Sequence, residues 1–175
     1  MLKLAATLIA AAAVAQPPAW IARAIPSPIV AWVEADVLGN DLPEGIAVSS
    51  AGGAYFVAVA DSRLNPPRMV LDYDLVRSIR GSRVRTLLAG QLLGGRTSEI
   101  AVTVFVTPSI GELAWVLRVG PRRLRLLRRF SADRIRISGR RVEQRWTTAA
   151  RSPTGTITRR LWRWERGAYR LVAQS

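Results

Sequence analysis

The sequence predicts an all-β protein: an antiparallel meander of about a dozen short strands, propeller-like or a small open or closed β stack. Three observations predict it. Runs rich in Val, Ile, Trp, Tyr and Phe recur from Ile29 to the C-terminus. Gly- or Pro-marked turns separate them about every 8 to 12 residues, the spacing of sandwiches, barrels and propellers. No stretch between residues 29 and 175 makes a convincing helix.

Residues 1–15 stand apart from that pattern. One cation, Lys3, precedes an uncharged apolar run from Leu4 to Val14, and Ala13-Val14-Ala15 supplies a small-x-small cleavage site. This is the layout of a secretory signal peptide. Its 11 apolar residues fall short of the roughly 20 a spanning helix needs. The expected organisation is therefore a signal peptide over 1–15, a Pro-rich lead over 16–28 and one all-β domain over 29–175. An extracytoplasmic location follows: secreted, periplasmic or associated with the cell wall, and not transmembrane once the leader is removed. Pro17, Pro18, Pro26 and Pro28 leave room only for one or two helical turns over Ala19–Ile25, with Trp20 and Ile21 as the docking face.

Strands are expected at Ile29–Ala35, Gly45–Ser49 and Ala54–Ala60. Met69–Val76 alternates, with Met69, Leu71, Tyr73 and Leu75 on one side and Asp72 and Asp74 on the other. Glu99–Thr107 is apolar on both parities, as a strand covered on both faces would be. The last third reads as successive hairpins: Glu112–Val119 with Arg123–Phe130, Arg134–Ile137 with Val142–Trp146, and Ile157–Trp164 with Tyr169–Val172. The strand at Ile29–Ala35 is a candidate to pair with the C-terminal hairpins and cover an exposed edge.

Two turns resemble one another. Asp36-Val37-Leu38-Gly39-Asn40-Asp41-Leu42-Pro43-Glu44 runs into the apolar Gly45–Val48, and Gln91–Glu99 runs into Ile100–Val102. The first is similar to an FG-GAP or VCBS-type repeat, the calcium-loop motif of integrin-like β-propellers. In that family, oxygen ligands at positions one, three and five, a glycine and a closing acid at nine converge on one ion. Asp36 matches position one, Gly39 four, Asn40 five and Glu44 nine. Leu38 stands at position three, where it cannot coordinate, and Asp41 replaces a second glycine. In the second copy Gln91, Gly94 and Glu99 align, while Leu93, Gly95 and Arg96 depart from the pattern. The resemblance implies Asp36, Asn40 and Glu44 as candidate Ca²⁺ ligands. The residues alone equally suit a turn whose side chains bond to backbone N–H groups. A dozen strands make only three four-stranded blades, below the usual four to eight. That count points to an open or minimal stack, a dimer, or the motif reused in another β architecture.

Composition narrows the function. There is no cysteine and no histidine, so disulfides, thiol chemistry, the commonest general base and the usual zinc, copper and haem sites are excluded. No phosphate loop or nucleophile elbow occurs. Asp72 and Asp74 form an acid pair at i, i+2, for which a solvated strand face with Arg68 or Arg77 as partners is the simpler account. The chain reads as a non-enzyme.

Charge is concentrated at one end. Residues 16–114 hold eight Arg against nine acids, whereas 115–175 hold 17 Arg against three. Arg123, Arg125, Arg134, Arg136, Arg141, Arg160 and Arg163, interleaved with Trp146, Trp162 and Trp164, form the candidate anion-binding set. Guanidinium groups bind phosphate or carboxylate bidentately and stack on rings. In an exported protein the expected partner is an anionic envelope polymer, an acidic glycan or an acidic protein, not intracellular nucleic acid. The alternative is a structural or assembly protein that pairs through its β-edges, a propeller relic with no ligand of its own. No cofactor is expected beyond the Ca²⁺ that the first turn suggests.

Overall fold

The computed structural model describes residues 16–77, 80–148 and 156–175. The leader expected over 1–15 lies outside them. The described chain is all-β, with twelve antiparallel strands and one short helix, α1 (Ala19–Ala24). The first sheet holds β1 (Ile29–Ala35), β2 (Glu44–Ala51), β3 (Ala54–Asp61) and β4 (Arg68–Arg77). The second holds β5 (Arg83–Gly90), β6 (Glu99–Thr107), β7 (Gly111–Val119) and β8 (Leu124–Ala132). The third holds β9 (Arg134–Ser138), β10 (Arg141–Thr148), β11 (Thr156–Glu165) and β12 (Ala168–Gln174). Each strand pairs only with its neighbours in sequence, so every sheet is a simple meander.

The three sheets stack in chain order. Ala31, Val33, Ile46, Val48, Val57 and Val59 of the first sheet meet Leu87, Ile100, Val102, Val104, Trp115 and Leu117 of the second. On its other face the second sheet buries Ala101, Ala114, Val116 and Phe130 against Ile135, Ile137, Val142 and Tyr169 of the third. The second sheet is thus covered on both sides, which is why β6 is apolar on both parities. Each fully buried aliphatic side chain contributes roughly 1.5–3 kcal/mol of transfer free energy, so these two seams hold the stack together.

The helix caps the outer face of the first sheet. Ile21, Ala24 and Ile25 lie on Ala47, Ala58 and Ala60, with Trp20, Trp32 and Phe56 around them. Small residues make the seat possible. A Cβ on Gly45 would stand 2.7 Å from Ile21 Cγ1 and 2.8 Å from Trp20. The helical turns expected over Ala19–Ile25 are therefore present, and Ile21 docks as anticipated.

Two expectations need correction. β1 does not pair with the C-terminal hairpins: it pairs with β2 and lies beside β5 instead, and the third sheet packs on β7 and β8. The sheet order leaves no closing strand pair. Met69, expected on the inner side of its strand, is exposed, because register shifts between Val59 and Ala60 opposite it. Leu71 beyond the shift is buried as its alternation requires.

Candidate functional site

The third sheet has two chemically different faces. Val142, Gln144 and Trp146 on β10 point the same way as Ile135 and Ile137 on β9, into the second sheet. Side chains alternate along a strand, so Arg141, Glu143 and Arg145 point outward with Arg134 and Arg136. Register extends this pattern across the sheet. Arg145 stands opposite Arg134 on one side and Arg159 on the other. Arg141 stands opposite Arg163, and Arg163 opposite Arg170.

The outer face therefore carries two rows of three arginines, Arg134–Arg145–Arg159 and Arg141–Arg163–Arg170. All six are exposed. Within a row neighbouring strands lie about 4.8 Å apart, and the rows are separated by about 13 Å of strand. Between them runs Arg136–Glu143–Leu161. Like charges directly opposite one another destabilise a sheet. This arrangement costs stability, and nothing in the fold's packing requires it.

Glu143 relieves part of one row. Its Oε1 accepts Arg145 Nε at 2.6 Å and Arg159 Nε at 2.8 Å. The hydrogen bond from Arg145 holds the Glu143 carboxyl below its ordinary value, against a smaller opposing effect of burial. Arg163 has a looser partner in Glu165 at 3.5 Å. Arg134, Arg136, Arg141 and Arg170 have no carboxylate partner among the described residues.

The expected anion-binding set is divided by this geometry. Arg134, Arg136, Arg141 and Arg163 lie on the outer face. Arg123 and Arg125 sit at the start of β8, at the edge of the second sheet. Trp146, Trp162 and Trp164 face the second sheet. There Arg128 lies 4.7 Å over the Trp162 ring, and Arg118 lies 5.5 Å over that of Trp164. Trp162 also donates from Nε1 to Gln144 Oε1 at 2.5 Å. Arg160 belongs to the same inner side, 5.3 Å over Trp146 and bonded to Gln174. The tryptophans therefore pack between sheets and do not share a surface with the two arginine rows. Arg145, Arg159 and Arg170 complete those rows and lie outside the expected set. The tight turn at Gly139-Arg140 fixes the β9–β10 register, and counting by twos from Arg141 would have found Arg145.

No protein family, curated protein or solved structure matches the chain.

The first turn does not fit a cation. Asp36 Oδ1 accepts N–H bonds from Gly39 and Asn40, and its Oδ2 one from Asp41. Glu44 Oε2 accepts from Val37 and Leu38 N–H, and its Oε1 from Asn40 Nδ2 at 2.7 Å. Asn40 Oδ1 accepts from Leu42 N–H. Every oxygen that the calcium-loop resemblance assigned to Asp36, Asn40 and Glu44 is directed at a hydrogen-bond donor within the turn. No group of three or more acidic side chains among the described residues is placed to hold a metal.

The second turn repeats the device. Glu99 is fully buried at the start of β6, as Glu44 is at the start of β2. It accepts from Leu93 N–H, Thr97 Oγ1 and the Arg118 guanidinium, the last at 3.3 Å. The turns also link the sheets. Ser98 Oγ reaches the Asp36 carbonyl at 3.5 Å, and Arg140, in the corresponding turn of the third sheet, donates from Nε to the Leu93 carbonyl at 2.6 Å. Gly94, at φ +68°, lies under that guanidinium, where a Cβ would come within 2.3 Å of it. Behind the turn, Tyr169 packs edge-on against Phe130 and Trp164, and its hydroxyl has no hydrogen-bond partner among the described residues. Burial, and then the charge of Glu99, push this phenol well above its ordinary value.

The acid pair lies on an exposed strand face. Asp72 and Asp74 stand opposite Ala58 and Phe56, on the helix-capped face of the first sheet. Both are exposed, and neither Arg68 nor Arg77 forms an ion pair with them.

Proposed function

We propose that this protein is a non-catalytic binding module that docks an extended polyanion on the outer face of its third sheet. The observation that carries this reading is the opposed register of Arg134, Arg145 and Arg159, and of Arg141, Arg163 and Arg170. An unliganded sheet gains nothing from cations set strand to strand. A polymer bearing an anionic group every few ångströms offsets their repulsion and is gripped by bidentate guanidinium bonds. Extracytoplasmic delivery by the leader at residues 1–15 makes an envelope polymer or acidic glycan the natural ligand class. Descent from an FG-GAP-type repeat array accounts for the recurring buried glutamate, with the calcium function replaced by internal hydrogen bonds.

Retention on a heparin column tests the reading. Elution should require high salt, because each neutralised anionic group adds roughly 0.7–0.9 to the logarithmic salt slope. Elution at the position of a charge-matched control protein would overturn it.

A second reading, assembly through β-edges, draws on β12, where Leu171 and Val172 are 45% and 42% exposed on the outermost strand. It requires a dimer or hetero-complex that persists at every ionic strength. A monomeric light-scattering profile across that range would dismiss it.

A further inference from the structure

A concavity of about 390 Å³ opens where the edge strand β9 meets the second sheet. Arg134, Arg136, Glu143 and Arg145 form its third-sheet wall, and Arg85, Thr86 and Glu112 the opposite one. Its volume lies at the small end of the roughly 300–1,000 Å³ range of ligand sites. That suits a single sugar-sized unit better than a length of polymer.

The two walls offer complementary chemistry. Arg134 and Arg136 have no carboxylate partner among the described residues. Arg85 is held loosely, with Nε 3.7 Å from Glu112 Oε1 and its guanidinium 5.5 Å over the Phe105 ring. These three guanidiniums are free to converge on one tetrahedral dianion, which satisfies more of their forked donors than a carboxylate does. The carboxylates are fixed by other bonds. Glu112 Oε2 accepts Ile135 N–H at 2.7 Å, and Glu143 Oε1 takes Arg145 and Arg159. Once Arg85 turns to the anion, Glu112 Oε1 and Glu143 Oε2 are left to accept hydroxyl protons, and Thr86 lines the same wall as Glu112. Four guanidiniums against two carboxylates leave a net positive site in which the acids select hydroxyls and do not quench the anion subsite.

We infer that this concavity binds a phosphorylated sugar, with the phosphate on Arg85, Arg134 and Arg136 and the ring hydroxyls on Glu112 and Glu143. The inference rests on the polyanion reading, since Arg134 and Arg136 belong to both surfaces. Arg85 belongs only to the concavity, and Arg163 and Arg170 only to the open face.

Backbone amide shifts of the ¹⁵N-labelled protein, titrated with glucose 6-phosphate, glucose and inorganic phosphate at about 0.15 M ionic strength, test it. Glucose 6-phosphate should saturate signals from residues 85–86, 112 and 134–136. Glucose should not bind, and inorganic phosphate should bind more weakly. R85A should weaken glucose 6-phosphate binding by roughly tenfold, the usual cost of one charge-assisted hydrogen bond, and leave heparin elution unchanged. The double variant R163A/R170A should do the reverse. E112Q should lower affinity for glucose 6-phosphate and leave that for inorganic phosphate unchanged.

Non-saturating shifts, or equal losses in R85A and R163A/R170A, would overturn the site. Failure of heparin retention while glucose 6-phosphate still saturates would count against the polymer reading alone.

Discussion

The two ends of this stack solve the same problem in opposite ways. Each terminal sheet has a face with no further sheet to cover it. At the N-terminal end the answer is hydrophobic: α1 lays Ile21 and Ile25 into a seat of Gly45, Ala47, Ala58 and Ala60. At the C-terminal end the answer is charge, with seven outward arginines around Glu143 and Glu165. Repeat stacks need terminal units with a polar outer face to stay soluble. A mixture of both signs would have served that purpose with less repulsion. One end is therefore optimised for stability, and the other gives up stability for a surface dominated by one sign.

The comparison breaks most sharply at Gly45. Gly45→Val must push α1 off its seat, and we expect a loss of about 3 kcal/mol. A lower denaturant midpoint, with Trp20 emission shifted toward that of solvent-exposed indole, is the readout. A change under about 0.5 kcal/mol would mean that the helix does not cap the first sheet.

The turns between the ends set the next scale. Glu99→Gln leaves Arg118 without its buried partner and should cost about 2 kcal/mol, again read from the denaturant midpoint. Glu44→Gln should cost less, since the hydrogen bonds to Glu44 come from neutral donors, Val37 N–H, Leu38 N–H and Asn40 Nδ2. Equal losses would show that Arg118 adds nothing to the second turn.

At the charged end the order of effects reverses. Replacing Arg134, Arg136, Arg141 and Arg163 together by Ser should change stability by less than about 0.5 kcal/mol, or raise it. The same change should cut the salt slope on heparin by roughly 3. A large stability loss would make the rows structural.

Acidity should matter least. The face holds no histidine, and Glu143 stays ionised below the ordinary glutamate value because its pKa is depressed. Its contribution to stability is present above its unfolded value of about 4.3 and is lost only as pH falls through the lower folded value. Heparin retention should therefore stay flat from about pH 8 to 5 and rise below about pH 4, as protonation frees Arg145 and Arg159. An inflection near pH 6 would contradict this. Chelation should leave the melting temperature unchanged, because the oxygens of Asp36 and Glu44 already accept hydrogen bonds; a fall on adding EDTA would restore a metal role.

Much of this fold was legible because alternation survives in the strands. Glu99–Thr107 and Arg134–Ile137 each declared their faces, Met69–Val76 did so only beyond the register shift that turns Met69 outward, and the last third separated cleanly into hairpins. What misled was adjacency. Arg163 and Trp164 are neighbours in sequence, so they read as one mixed surface, yet a pleat sends them to opposite sides. The buried glutamates misled differently. Asp36, Asn40 and Glu44 have oxygens at metal-ligand spacing, and that spacing serves equally well to collect N–H groups from a tight turn. Whether such oxygens converge outward on an ion or inward on the backbone depends on φ/ψ values that residue identities do not fix. Gly45 was readable only in retrospect, because a small residue at the head of a strand has meaning only once the helix above it is known.

The strictly sequential pairing has a kinetic consequence. Every ladder joins strands that are neighbours in the chain, so each sheet can form without waiting for distant segments, and the entropy of closing long loops is largely avoided. A chain emerging from its N-terminus can seat α1 and the first sheet before the arginine-rich third exists. When that third does emerge, it arrives at a partly built stack carrying a charge that repels the same segment of every other copy. The surface that costs the finished protein stability would thus keep its folding intermediates apart.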